Sequence, residues 1–174
     1  MIDSERGSAR EPVLAYVALG VNLGDAYRAI QQAIEALNGL PSTEVRQTSS
    51  VYKTAPLDTD PDATNSPLGA DYLNAVVQIE TCLCAPALLK YLQRLERAAG
   101  RQRPYRNAPR TLDLDLLRFG SATIASAQLT VPHPRMLQRA FVLAPLAEIA
   151  PDEVTPEQLH AVQDQRIEKL ASYS

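Results

Sequence analysis

Two aspartates, Asp113 and Asp115, stand two residues apart in the apolar run Leu112-Asp113-Leu114-Asp115-Leu116-Leu117, directly after Arg106-Asn107-Ala108-Pro109-Arg110. Side chains alternate faces along a strand, so this run predicts both acids on one face and Leu112, Leu114 and Leu116 on the other. At about 3.3 Å of rise per residue the acids lie about 6–7 Å apart at their backbones. That spacing lets them converge on a pair of cations about 3.5–4 Å apart. Arginine forks grip phosphates bidentately, and magnesium favours one or two carboxylates completed by substrate phosphates. An Asp-x-Asp pair alone also occurs as the plain exposed face of a strand, and an arginine run alone as solvated surface. Joined within one short segment, they point to phosphoryl-type transfer on a polyphosphate.

The charge distribution sharpens this. From Arg94 to Arg110 six arginines face one acid, Glu96, on a chain whose formal net charge is −3. A local basic patch on a net-acidic chain indicates a specific anion site and argues against a general nucleic-acid or membrane binder. At 174 residues, 45% hydrophobic and 21% charged, the composition is that of one ordinary globular domain. No apolar run approaches the roughly 20 residues of a membrane span. Cys82 and Cys84, the only cysteines, lack the further ligands of a zinc set and read as reduced, small apolar residues. Residues 1–12 are polar and without the apolar core of a signal peptide. The expectation is a flexible polar arm over 1–12, a single domain with a C-terminal helix over 13–174, a cytoplasmic location and a monomer.

The elements that must position the acids follow from periodicity. Val13 to Leu19 reads as a strand, and Asp25 as the N-cap of a helix over 26–38 closed by Gly39 and Pro41. A second extended segment spans 44–54, followed by a proline-rich loop over 55–70. Tyr72 to Glu80 alternates Leu73, Ala75, Val77 and Ile79 against Tyr72, Asn74, Val76 and Gln78. Pro86 opens a helix over 86–99 with Leu88, Leu89, Leu92, Leu95 and Ala99 as its buried stripe, and Gly100 stops it. After the arginine loop come a strand over 112–119, a short extra pair, a helix around 135–148 and a final helix from Pro156 to Ala171. The order β-α-β-β-α-β predicts an α/β (α+β) fold of the ferredoxin-like split βαβ type, a mostly antiparallel sheet flanked by helices.

The run Arg106-x-Ala108-Pro109-Arg110-x-x-Asp113-Leu114-Asp115-Leu116-Leu117 resembles the signature of the 6-hydroxymethyl-7,8-dihydropterin pyrophosphokinase family. Gly20-x-Asn22-Leu23, Lys53-Thr54-Ala55-Pro56-Leu57, Asp71-Tyr72-Leu73-Asn74-Ala75, Thr130-Val131-Pro132-His133 and Arg139-x-Phe141 extend the resemblance from about Ala15 to Pro151. It implies transfer of pyrophosphate from ATP to the pterin hydroxymethyl oxygen, releasing AMP. By resemblance, Asp113 and Asp115 hold two Mg2+ ions, Asp115 also being a candidate proton acceptor, while Arg101 and Arg110 stabilise charge as the bond to AMP breaks. The same resemblance assigns Gln93, Glu96, Arg103, Arg110, Leu116, Thr130, His133 and Arg139 to ATP. It assigns Thr54, Leu57, Tyr72, Asn74 and Phe141 to the pterin. Tyr72 and Asn74, at i,i+2 on one strand, set an aromatic plate and an amide on a shared face. Glu96 pairing with a neighbouring arginine is an equal alternative to nucleotide binding.

The chain also departs from the family's pattern. Val21 stands where a serine is usual, Asn107 where an aromatic is, and Gln128 and Pro134 where an arginine and a tyrosine often are. Two other readings compete: another magnesium-dependent nucleotidyl or glycosyl transferase built on Asp113 and Asp115, and a ferredoxin-like RNA-binding module. The second needs exposed stacking aromatics in a basic setting, against which the paired acids count.

Overall fold

A computed structural model describes residues 10–22, 25–54, 71–100 and 112–171. Its framework is β1 (Val13–Val21), α1 (Ala26–Asn38), β2 (Thr43–Thr48), β3 (Val51–Thr54), β4 (Tyr72–Thr81), α2 (Ala85–Ala99) and β5 (Asp113–Phe119). A small ribbon of β6 (Ile124–Ala125) and β7 (Thr130–Val131) follows. Then come α3 (Ala140–Ile149), α4 (Pro156–Ala161) and β8 (Ile167–Ala171). The sheet order is β5-β1-β4-β3-β8, with β2 also on β4, and every pairing is antiparallel. With β2 and β3 taken as one interrupted strand, the βαββαβ part has the ferredoxin-like order.

Local chemistry sets the boundaries. Asp25 caps α1 by accepting from the Arg28 N–H at 3.1 Å, and the Gly39 N–H returns to the Glu35 carbonyl at 3.0 Å. Pro86 lies in the first turn of α2, and the Gly100 N–H closes that helix on the Glu96 carbonyl at 2.9 Å. The expected single strand over 44–54 is two, because Ser49 intervenes. Its Oγ accepts from the Val76 N–H at 2.9 Å, so a side chain takes one rung of the ladder.

The sheet buries both faces. Towards α1 and α2 it presents Val17, Leu19, Val21, Ala75, Val77, Ile79, Leu114 and Leu116, packed on Ile30, Leu37, Leu88 and Leu92. Towards α3 it presents Tyr16, Val76 and Leu117, packed on Met136, Val142, Leu143 and Leu146. Each fully buried leucine contributes about 1.5–3 kcal/mol. Leu117 is an extra residue in β5: Leu116 pairs with Val17 and Arg118 with Tyr16, leaving Leu117 as a bulge. Glu148 of α3 ties that helix to the sheet. It accepts from the Ser50 N–H at 3.2 Å, the Ser50 hydroxyl at 2.7 Å and the Tyr52 hydroxyl at 2.7 Å, with Lys169 of β8 at 3.4 Å.

Two helical expectations change. The helix around 135–148 is a 3₁₀ turn, Met136–Gln138, then an extended Arg139, and only then α3. The final helix does not run to Ala171. It stops after one capped turn and a half at Ala161, and Ile167–Ala171 pairs with β3 instead. Past Val162 the polar Gln163, Asp164 and Gln165 offer no apolar stripe, while β3 has an outer edge whose backbone groups need partners. Gln165 is used twice, accepting from the Ala140 N–H at 2.9 Å and donating to the Gln138 carbonyl at 2.8 Å. Of the polar arm over 1–12, residues 1–9 lie outside the described residues.

Candidate active site

Antiparallel register brings four residues into one lateral row across the sheet: Tyr52 pairs with Asn74, Asn74 with Gly20, and Gly20 with Asp113. Paired residues share a face, so this row lies on the α3 side, as do Asp115 opposite Ala18 and Thr54 opposite Tyr72. Among the described residues helix α3 packs on the Tyr16–Val76–Leu117 end of that face and reaches Tyr52 through Glu148. The other end carries Tyr72, Asn74, Thr54, Gly20, Asp113 and Asp115. A polar half-face is thus left beside an apolar half-face on the same strands.

Gly20 leaves the middle of the row without a side chain. A Cβ there would stand at ordinary contact distance, 3.4 Å from Asn74 Oδ1 and 3.9 Å from the Asp113 Cβ, so any side chain would occupy the face between them. Asn74 is buried, and its amide nitrogen donates to Thr54 Oγ1 at 3.0 Å, which leaves Oδ1 on the Gly20 side. Tyr72 is half-buried in the next row. These residues supply the amide and aromatic plate expected of a pterin pocket. Leu57 lies outside the described residues.

Asp113 and Asp115 are both half-buried on the same face, as the alternation predicts. Arg139, in the extended link before α3, brings Nη1 to 3.8 Å from Asp115 Oδ2 and its guanidinium carbon to 5.5 Å from the Phe141 ring centroid. The ion pair is long and partly solvated, and so contributes little to stability. Phe141 is half-buried against the α3-side core at the border of the open half-face. His133 donates its backbone N–H to the Leu117 carbonyl at 2.9 Å, and its Nδ1 accepts from the Arg135 N–H at 3.2 Å, which assigns the ring proton to Nε2. Burial lowers the His133 pKa; Asp115 opposes this, and Arg139 and Arg135 reinforce it, so the ring is neutral at neutral pH.

Beside the acids a cleft of about 280 Å³ opens between β5 and the β6–β7 ribbon. Asp115, Leu116, Thr130 and His133 line it, with Leu89 and Leu129 as apolar wall and Gln128 and Pro134 at the rim. Three residues expected at ATP therefore share one cavity with an expected metal ligand. Gln93 is exposed on α2 and is not among the residues lining it. Glu96 accepts from the Leu114 N–H at 2.7 Å, a partner outside both readings of its sequence. Arg101, Arg103 and Arg110, like Asn107, lie outside the described residues. Val21 is fully buried towards α1 and α2, so the absent hydroxyl at that position is replaced by core packing rather than by a gap in the site.

The donor set fits magnesium held jointly by protein and substrate. Two carboxylates share one face of β5, and among the described residues no group of three or more His, Cys, Asp or Glu encloses a cation unaided. Sequence reasoning gave Gly20 no role; a glycine inside a strand was the available sign. It named Asn22 only within the Gly20-x-Asn22-Leu23 motif and gave it no role; its Oδ1, just past β1, is buried without a hydrogen-bond partner among the described residues.

A family model described as 7,8-dihydro-6-hydroxymethylpterin-pyrophosphokinase (HPPK) matches residues 16–151. The 2-amino-4-hydroxy-6-hydroxymethyldihydropteridine pyrophosphokinase of Bacillus subtilis (strain 168) is 42% identical over 152 residues, 87% of this chain and 86% of that one. Its namesake in Haemophilus influenzae is 43% identical over 144 residues, 83% of this chain and 86% of its own. Among solved structures, an HPPK-DHPS in complex with substrates superposes with a TM-score of 0.65 at 12% identity over 87% of this chain. Wild-type Plasmodium falciparum HPPK-DHPS with pteroate gives 0.60 at 14% identity over 79%. This chain spans 43% and 41% of those two longer chains, and the likeness is one of fold.

Proposed function

This chain belongs to the 7,8-dihydro-6-hydroxymethylpterin-pyrophosphokinase family, and from that premise we propose how its open half-face carries the reaction. The enzyme transfers pyrophosphate from ATP to the hydroxymethyl group of 6-hydroxymethyl-7,8-dihydropterin in folate biosynthesis, releasing AMP. The observation that supports the assignment of roles is the lateral row Asn74–Gly20–Asp113, in which the Asn74 amide and the Asp113 carboxylate lie two strands apart with only Gly20 between them.

In this reading Asn74 reads the amino-oxo edge of the pterin, held in one orientation by Thr54, while Tyr72 and Phe141 contact the ring faces. Leu57 completes the edge contacts. Asp113 and Asp115 hold two Mg2+ ions, which when bound neutralise phosphate charge and align the attacking oxygen. The cleft beside Leu116, Thr130 and His133 takes the nucleotide, with Gln93, Glu96 and Arg103 contributing from α2 and the segment after it. A neutral His133 donates through Nε2 without adding charge, leaving the cationic role to Arg139, Arg101 and Arg110. The 3.8 Å spacing between Arg139 and Asp115 suits an arginine that releases the acid and turns to phosphate when substrate arrives. Asp115 is the candidate acceptor of the hydroxyl proton. Two unpaired thiols support a reducing, cytoplasmic setting. No helix among the described residues is long and apolar enough to cross a membrane.

Purified protein incubated with ATP, magnesium and 6-hydroxymethyl-7,8-dihydropterin should yield AMP and the pterin pyrophosphate in equal amounts. Free pyrophosphate in place of AMP would mean nucleotidyl transfer, and absence of pterin-dependent AMP would sink the reading.

A further inference from the structure

Among the described residues strand β5 is an edge strand: β1 pairs with its inner side and no strand of the main sheet pairs with its outer side. It carries both acids in its first three residues. An edge strand of this kind has backbone N–H groups that turn away from the sheet, and the first residues of a strand open most readily. For paired metal ligands that is a poor foundation, because their spacing is set by the backbone that bears them.

The outer side of β5 is nevertheless held at two places. Glu96 Oε1 accepts from the Leu114 N–H at 2.7 Å, and the His133 N–H donates to the Leu117 carbonyl at 2.9 Å. Leu114 lies between Asp113 and Asp115, so one bond to its N–H holds the Asp113–Leu114 peptide, the first of the two that link the ligands. The donor is neutral and the acceptor a carboxylate, which makes the bond short and stronger than a neutral one. Helix α2 is well placed to supply it. Leu88 and Leu92 are fully buried against the sheet, and Glu96 follows Leu92 by one turn on the same side.

We propose that Glu96 is a positioning residue for the metal site: its carboxylate clamps the edge strand at Leu114 and thereby fixes the spacing and direction of Asp113 and Asp115. This rests on the reading of those acids as metal ligands and adds to Glu96 a role distinct from nucleotide contact. A clamp needs only an acceptor oxygen, which glutamine retains and alanine does not.

Two readouts besides turnover test it, amide exchange at Leu114 and Mn2+ affinity measured without nucleotide. In the unsubstituted protein the Leu114 amide should be protected from exchange. Glu96→Ala should speed its exchange about tenfold or more, as expected for loss of a hydrogen bond to a charged group. The same variant should weaken Mn2+ binding about 10-fold or more, the effect typical of partners that orient metal ligands. Its kcat should fall more than its KM for ATP rises, and added magnesium should restore part of the loss. Glu96→Gln should keep both Leu114 protection and Mn2+ affinity. An unprotected Leu114 amide in the unsubstituted protein would overturn the proposal, and so would a rise in KM for ATP in both variants with Mn2+ affinity unchanged. If Glu96→Ala does not fold, the glutamine variant and the unsubstituted amide still decide. Failure of the functional reading shows separately, as absence of pterin-dependent AMP with Leu114 still protected.

Discussion

The two ends of the sheet face beneath α3 are built from the same three strands, β5, β1 and β4, and differ in what covers them. At one end Tyr16, Val76 and Leu117 meet Leu143 and Leu146 and are sealed from water. At the other, a few residues along each strand, Gly20, Asn74, Asp113 and Asp115 lie beyond the stretch that packs on α3 among the described residues. The closed end can be apolar because a helix removes it from solvent; the other end, in the reading proposed above, is polar because a ligand completes it. On that reading the chemistry sits beside the border of α3.

That contrast predicts opposite outcomes for substitutions at the two ends. Asp115→Ala, at the open end, should lower kcat/KM by at least about 10²–10³-fold, the scale seen when one charge-stabilising group is removed from a preorganised site. Its melting temperature should hardly change, since the acid is half-exposed and its ion pair weak. Normal turnover would place the metal elsewhere. Leu143→Ala, at the closed end, should do the reverse, costing about 2–5 kcal/mol of stability in denaturant unfolding. Its turnover per folded molecule should be retained; lost activity in the folded fraction would mean that the two ends are not separable.

A smaller effect is expected at the boundary. Gly20→Ala adds a methyl group at ordinary contact distance, 3.4 Å from Asn74 Oδ1, and should raise the KM for pterin about two- to threefold by narrowing the face the ring lies on, with kcat less affected. An unchanged KM for pterin would place the ring away from the Gly20 strip. The smallest effect concerns the tie between the ends. Burial raises the Glu148 pKa, but hydrogen bonds from Ser50 and Tyr52, helped by Lys169, outweigh it and hold the carboxyl below its ordinary value. A depressed folded-state pKa gives stability that is present above the unfolded value, about 4.3, and is lost as pH falls through the folded one. The unsubstituted protein should therefore melt above Glu148→Gln at pH 7, the gap closing as pH drops below about 4. A gap that persists unchanged into acid would mean that the carboxylate charge does not matter there.

Much of this was legible in the residues themselves. The β-α-β-β-α-β order, the caps at Asp25 and Gly39 and the shared face of Asp113 and Asp115 follow from periodicity and turn chemistry, which act within a few residues. What escaped depends on partners distant in the chain. Ser49 splits an apparent strand only because Val76 lies opposite. Ile167–Ala171 becomes a strand because β3 has a vacant edge, a fact no local pattern carries. The bond from the Leu114 N–H to Glu96 cannot be read until β5 is seen to pass beside α2. The cleft needs β5 and the β6–β7 ribbon to meet before Leu116, Thr130 and His133 can share it.

The bulge at Leu117 has a consequence for how chains of this kind can change length. Leu116 and Arg118 hold consecutive places in the ladder with β1, so deletion of Leu117 would leave the pairing on either side in phase. An insertion or deletion between Asp113 and Leu116 would instead exchange the two faces, turning an acid into the apolar core under α1 and α2. Length variation in this strand is thus confined to its far side from the acids. Drift can revise the end that packs, while the end that reacts accepts substitution alone.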